Sequence, residues 1–279
     1  MTLEFALKAT LALAGISNFV QAAELLSIRK DWSDQKGIWR WRDLRQEYRS
    51  LSPAIYGLFS LILSEKGFLI AQAFRIVSSI LLITCLWLPI AQPILTLACW
   101  ITLAGALFSA IRWRGAFNGG SDAMNLVVLI PLSVAQLFGP DSEMAVRVAL
   151  GYIALQSVLS YWVAGFVKIR EAEWRQGKAL PLFLATPQYA VPTEVVRLIQ
   201  TSPYGAWVAS WGVMLFELTF PVVLFTPKWA PFLLGVGFVF HFANAALLGL
   251  NRFVFAWAAT YPALLVMGQI LAESLQPFL

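Results

Sequence analysis

The sequence predicts an all-α fold, a polytopic membrane helix bundle of about eight transmembrane helices with short interfacial helices. Three observations predict it. Of 279 residues, 59% are hydrophobic and only 13% are charged, more apolar surface than a soluble domain carries without aggregating. The apolar residues gather in runs close to the ~20 residues that a helix needs to cross a bilayer, and a helix satisfies its own backbone groups in lipid. The alternating ten-residue segments of a transmembrane barrel are absent. The whole chain, residues 1–279, reads as a single transmembrane domain.

Leu3–Leu26 is the first apolar run; its start is not basic and it continues past any cleavage site, so it reads as a retained span. Ser27–Ser50 is the most charged stretch, with Trp32, Trp39 and Trp41 interleaved among arginines and aspartates. It reads as a headgroup-level loop with an aromatic belt, or as a docking surface for an anionic lipid or partner. Leu51–Ser64 is apolar but short for a span and reads as an interfacial or re-entrant segment, or as the lower part of a broken helix. Phe68–Leu88 is a span with Arg75 inside it, which must snorkel or pair. Ile94–Ile111 follows. In Arg112–Met124 the Asn118-Gly119-Gly120 turn leads to Ser121 or Asp122 as a helix cap. Asn125–Phe138 is a short span, and Glu143–Ile169 a long helix. Prolines cut Ala172–Pro203 into short amphipathic pieces at the interface. Gly205–Thr226, Trp229–Leu250 and Arg252–Leu271 complete the set, the last with a kink at Tyr261-Pro262.

The net charge of +5 does not imply nucleic acid. The basic residues lie between apolar runs, where anionic headgroups and the positive-inside rule account for them. Lysine and arginine concentrate in the loops after the first, third, fifth and seventh spans, which places those loops on the cytoplasmic side and both termini outside. Cys85 and Cys99 fall within apolar runs and read as small buried hydrophobes. One histidine excludes a multi-histidine metal cage, and no CxxC, HExxH or Walker pattern occurs. No metal is expected.

Ionisable residues at membrane depth are costly and mark candidate sites. Lys168 lies at the end of the fifth span, Glu217 inside the sixth and His241 inside the seventh, with Asn244 on the same helical face as His241. Ser157, Tyr161 and Lys168 share a face, and Gly165 on that face admits a close neighbour. Each residue also has a structural reading. Lys168 snorkels, Glu217 pairs with Arg75, and His241 and Asn244 are a pair that hydrogen-bonds to neighbouring helices. Asp122 and Asn125 share a face and leave room for a ligand contact. Convergence of Lys168, Glu217 and His241 on one cavity would favour chemistry, with a partly desolvated lysine as general base and the histidine and amide as anion or proton handlers.

The run Tyr161-Trp162-Val163-Ala164-Gly165-Phe166-Val167-Lys168, continuing to Trp174, Gly177 and Lys178, resembles the horizontally transferred transmembrane (HTTM) domain family, which includes the vitamin K-dependent γ-glutamyl carboxylases. Asn118–Met124 is similar to the family's glycine-rich entry to a span, and Phe240-His241-x-x-Asn244 is similar to a further family pattern. The resemblance implies that Lys168 is the catalytic base and that His241 lies near it. The candidates for binding substrate or cofactor are Tyr161, Asn118, Asp122, Trp174, Glu217 and Asn244, of which Glu217 and Asp122 are assigned no role beyond lining the cavity. The resemblance also implies a reduced quinone, of the vitamin K or menaquinol type, as cofactor. In the carboxylases the lysine deprotonates the hydroquinone, and oxygen then yields a base strong enough to remove a γ-proton from a peptide glutamate.

The carboxylases carry a large soluble portion after the membrane domain, whereas this chain ends at Leu279. Their chemistry faces the lumen, whereas the charge pattern here sets Lys168 at the cytoplasmic end. Shorter bacterial relatives of the sporulation-delaying protein B type are closer in size and act in maturation of a secreted toxin peptide. The expected function is therefore a multi-pass membrane enzyme or maturation factor acting on a small secreted peptide or with a quinone-like lipid. The alternative is a non-catalytic transporter or an assembly or export partner that uses the same cavity for binding. The expected location is a lipid bilayer, the inner or plasma membrane in a bacterium.

Overall fold

A computed structural model describes residues 1–35, 37–113, 119–139, 142–187 and 191–275. These residues are predominantly helical, with no strand among them, and eight stretches are long and apolar enough to cross a membrane. The chain divides into two compact units, Thr2–Ala149 and Leu150–Leu279 with Met1.

The first unit opens with α1 (Leu3–Ser27), capped by the Thr2 hydroxyl, which accepts from the Phe5 amide. Two single-turn helices, α2 (Arg29–Trp32) and α3 (Trp41–Leu44), lead to α4 (Pro53–Leu63). At about 1.5 Å per residue, the 11 residues of α4 reach ~16 Å, about half a hydrocarbon layer. That length fits the reading of Leu51–Ser64 as an interfacial, re-entrant or broken-helix segment. The spans α5 (Glu65–Thr84), α6 (Gln92–Trp113) and α7 (Gly119–Phe138) follow; α5 packs between α1 and α6, and α6 against α7. Cys85 and Cys99 are buried and unbridged, in keeping with their reading as small hydrophobes.

Two expectations for this unit are corrected. Ser121 and Asp122 do not cap a helix that begins at Asn125, because α7 already begins at Gly119 and both lie in its first turn. The aromatic-belt reading of Ser27–Ser50 also fails for its main residues. Trp32 and Trp41 are buried inside the protein and so do not present their rings outward as a belt. Trp32, Phe68 and Trp113 surround Arg112, whose guanidinium carbon lies 5.4, 5.0 and 6.0 Å from their ring centroids. That guanidinium also donates to the carbonyls of Leu63, Trp32 and Trp39. Arg112 is thus a structural cation that ties the end of α6 to the polar loop.

The second unit holds most of α8 (Glu143–Arg170), whose first residues belong to the first unit. Three short helices follow, α9 (Ala172–Arg175), α10 (Ala179–Leu184) and α11 (Thr193–Thr201), as the proline spacing predicts. α12 (Pro203–Thr219) starts with proline in its first turn and with the Ser202 hydroxyl accepting from the Gly205 amide. It continues through a 3-10 segment, Phe220–Leu224. α13 (Ala230–Leu248) ends on left-handed Gly249. α14 (Asn251–Ala258) and α15 (Tyr261–Leu275) form the last span, broken before Tyr261 where the kink is predicted.

Candidate functional site

α8 supplies the first wall. Tyr161, Ala164 and Lys168 follow one another at helical spacing and line a common cavity with Ser160. α12 crosses α8 at Gly165, where a Cβ would lie 2.9 Å from both the Glu217 Cβ and the Leu218 amide nitrogen. The crossing therefore requires glycine, and it seats Glu217 beside Lys168. The Lys168 ammonium donates to both carboxylate oxygens of Glu217 at 2.7 Å, and the Glu217 side chain is only 4% exposed. Glu217 is therefore not paired with Arg75, the structural alternative; Lys168 is its partner.

The turn after α8 completes this end. Arg175 donates to the carbonyls of Ile169 and Arg170, which satisfies the last turn of α8. Gly177 adopts φ +73, and a Cβ there would lie 2.6 Å from the Trp207 Cα, so the turn packs backbone to backbone on α12. Trp211 donates to the Arg175 carbonyl at 3.1 Å. The fastened turn carries Trp174, whose ring centroid lies 5.5 Å from the Lys168 ammonium.

One to two turns back along α8 lies a second polar group. The Tyr161 hydroxyl and the His241 Nε2 are 2.7 Å apart. Tyr161 stacks on Phe220 at 3.8 Å between centroids and meets Phe216 edge-on. The His241 ring lies 4.8 Å from Trp257, which is parallel to Phe253. Both residues of the pair are buried, and the His241 Nδ1 has no hydrogen-bond partner among the described residues. His241 thus makes an interhelical hydrogen bond, to Tyr161 of α8, as its structural reading expects. Asn244 lies half-buried on the cavity wall.

Lys168, Glu217, Trp174, Tyr161, His241 and Asn244 all line one cavity of about 580 Å³. The rest of its wall is almost wholly apolar and includes Leu184, Val195 and Ile199 from α10 and α11. The volume suits a small organic ligand, and the combination of apolar walls with a few convergent polar groups is typical of ligand sites. Electrically, the Lys168–Glu217 pair is a compensated cation and anion, so the low-dielectric wall carries no net charge there.

Residues 141–267 match the HTTM domain. Every residue that lines the cavity, from Ser160 to Trp257, falls within this HTTM-matching segment. The chain is a multi-pass membrane protein. Comparison with curated proteins and with solved structures gives no match.

The remaining two sequence-predicted site residues lie outside the HTTM segment. Asn118 falls outside the described residues. Asp122 belongs to the first unit and does not line the cavity; it accepts a hydrogen bond from Gln21. Gln21 also accepts from Arg75, which bonds Asn18 and Ser109 as well. Arg75 thus donates to neutral side chains of its own unit and is fully buried, so it does not snorkel. The sequence reading did not pick out Ser160, Phe253 and Trp257 as site residues. The last two stand four apart on α14, a spacing that announces a paired aromatic face. Trp257 donates to the Ser160 hydroxyl at 3.2 Å.

Proposed function

We propose that the HTTM segment forms an intramembrane site that binds an apolar ligand by a polar head and moves a proton at that head, with Lys168 as the base. The observation that carries this reading is the Lys168–Glu217 pair at the wall of an apolar cavity that also presents Tyr161, His241 and Asn244. Passing one ammonium proton to Glu217 leaves a neutral amine and a neutral carboxylic acid. Both are tolerable in a low-dielectric wall. The amine then accepts a proton from the ligand, and Glu217 holds the proton it received. Trp174 covers the ammonium and favours its return to the charged form. Tyr161 fixes the orientation of the His241 ring, so that Nδ1 is the nitrogen left to meet a ligand oxygen.

A reduced quinone of the vitamin K or menaquinol type is compatible with these residues. Its ring would lie against Phe253, Trp257 and Phe240, with a hydroxyl within the reach of Lys168 or the partnerless Nδ1 of His241. Such a quinol supplies reducing equivalents. Together with the carboxylase resemblance, this supports modification of a small secreted peptide as the outcome, the second substrate being the peptide.

The decisive experiment incubates the purified protein with a reduced menaquinone and a co-expressed candidate peptide and reads the peptide by mass spectrometry. A mass shift that disappears in Lys168→Ala supports the enzyme. The binding reading is favoured by the same cavity and predicts no mass shift, with quinone or peptide binding weakened in Lys168→Ala. A mass shift that persists in Lys168→Ala overturns the assigned base.

A further inference from the structure

The short segment between α2 and α4 in the first unit is rich in exposed arginines. Trp41 is buried and stacks on Tyr48 at 5.7 Å. Tyr48 meets Phe59 of α4 edge-on and donates from its hydroxyl to the Ile111 carbonyl at 3.2 Å. These contacts pin α3 and the following 3-10 turn, Arg45–Tyr48, onto α4 and α6. The pinned segment presents Arg42, Arg45 and Arg49, all exposed, on its outer side. Asp43 pairs with Arg40 at 2.7 Å and touches Arg42 at 3.8 Å. Arg45 and Arg49 make no ion pair among the described residues.

The segment runs directly into α4, whose Ile55, Leu58 and Leu61 are 46, 53 and 70% exposed. A helix of that length cannot cross a bilayer, so an exposed apolar stripe on it is stable only against the acyl boundary. The same stretch therefore joins a rigidly mounted basic face to an apolar foot, a pairing that matches an anionic membrane surface.

We propose that Arg42, Arg45 and Arg49 with α4 form a docking surface for anionic phospholipid headgroups. The apolar foot sets the depth and the guanidinium groups bind headgroup phosphates in fork geometry. The stack of buried Trp41 on Tyr48 makes the surface preorganised, so no loop must fold on contact.

Native mass spectrometry of the full chain from detergent, offered an equal mixture of phosphatidylglycerol and phosphatidylcholine, tests this. The wild type is expected to retain phosphatidylglycerol preferentially. The R42Q/R45Q/R49Q variant is expected to lose roughly 5-fold of that preference for each arginine removed. The lysine counterpart, R42K/R45K/R49K, keeps the charge and most of the preference. Raised ionic strength weakens the preference in the wild type. An unchanged preference in the glutamine variant overturns the proposal, as does a salt-insensitive preference in the wild type. Arginine-dependent capture of an acidic polyglutamate peptide with no lipid preference overturns it in favour of a protein partner. Should the glutamine variant fail to fold, the salt titration of the wild type decides.

Discussion

The Lys168 ammonium lies 2.7 Å from each carboxylate oxygen of Glu217, and neither charge can be removed without stranding the other in an apolar wall. Lys168→Ala and Glu217→Leu are each expected to destabilise the protein by about 3 kcal/mol, the scale for breaking a buried pair. The double variant should cost clearly less than the sum of the two. Thermal unfolding in detergent, read as a double-mutant cycle, measures the coupling. Strict additivity would show that the two groups do not depend on one another.

Gly165 sets the distance between α8 and α12. A methyl group there meets the Glu217 Cβ and the Leu218 amide nitrogen at 2.9 Å, both in positions that only a shift of the helix can relieve. Gly165→Ala is expected to cost about 1–3 kcal/mol and to reduce product formation or ligand binding more than its stability loss explains. A melting curve and a binding curve on the same sample separate the two effects; a fully stable, fully binding Gly165→Ala would contradict the close crossing.

Tyr161→Phe keeps the stack on Phe220 and removes only the hydroxyl that meets His241. The expected loss is about 1–2 kcal/mol, the cost of stranding a buried polar group. Tyr161→Leu should cost more because it also opens the aromatic packing. Nitrogen-15 chemical shifts of the His241 ring would change in both variants, and an unaltered ring spectrum in Tyr161→Phe would rule out the hydrogen bond.

In the first unit, Arg75 satisfies Asn18, Gln21 and Ser109 together. Arg75→Ala should lower stability by about 3–5 kcal/mol, because several buried acceptors lose their donor. Arg75→Lys should recover little, since a point ammonium cannot serve the separate directions of a guanidinium fork. The yield of monodisperse protein and its melting temperature report both; full rescue by lysine would mean that charge alone matters.

The spans were legible in the sequence because their signal is local: each needs about 20 apolar residues in a row, and Leu51–Ser64 is visibly too short. The ionisable residues that line the cavity were legible as candidates for a related reason, since an ionisable group in an apolar run is conspicuous wherever it points. Partners were not legible. Glu217 paired with Arg75 and Glu217 paired with Lys168 look alike in a linear chain, because both are contacts between spans. The fate of Ser27–Ser50 was hidden by ambiguity in the residues themselves. Tryptophans among arginines suit a headgroup belt, and they equally suit a buried cage around Arg112; only the packing of α6 against the loop distinguishes the two. Asp122 was misplaced because a glycine-rich turn before a carboxylate suggests a cap, whereas α7 begins three residues earlier and turns that carboxylate toward Gln21.

The short Lys168–Glu217 contact also fixes how the electric field across the membrane acts on the proposed proton hop. Moving one charge through the full field is worth about 2.3 kcal/mol per 100 mV. A hop of 2.7 Å samples at most about a tenth of a ~30 Å hydrocarbon layer, or roughly 0.2 kcal/mol. The acid–base exchange is thus almost decoupled from voltage. A protein built this way would run its proton step at nearly the same rate in energised and de-energised membranes.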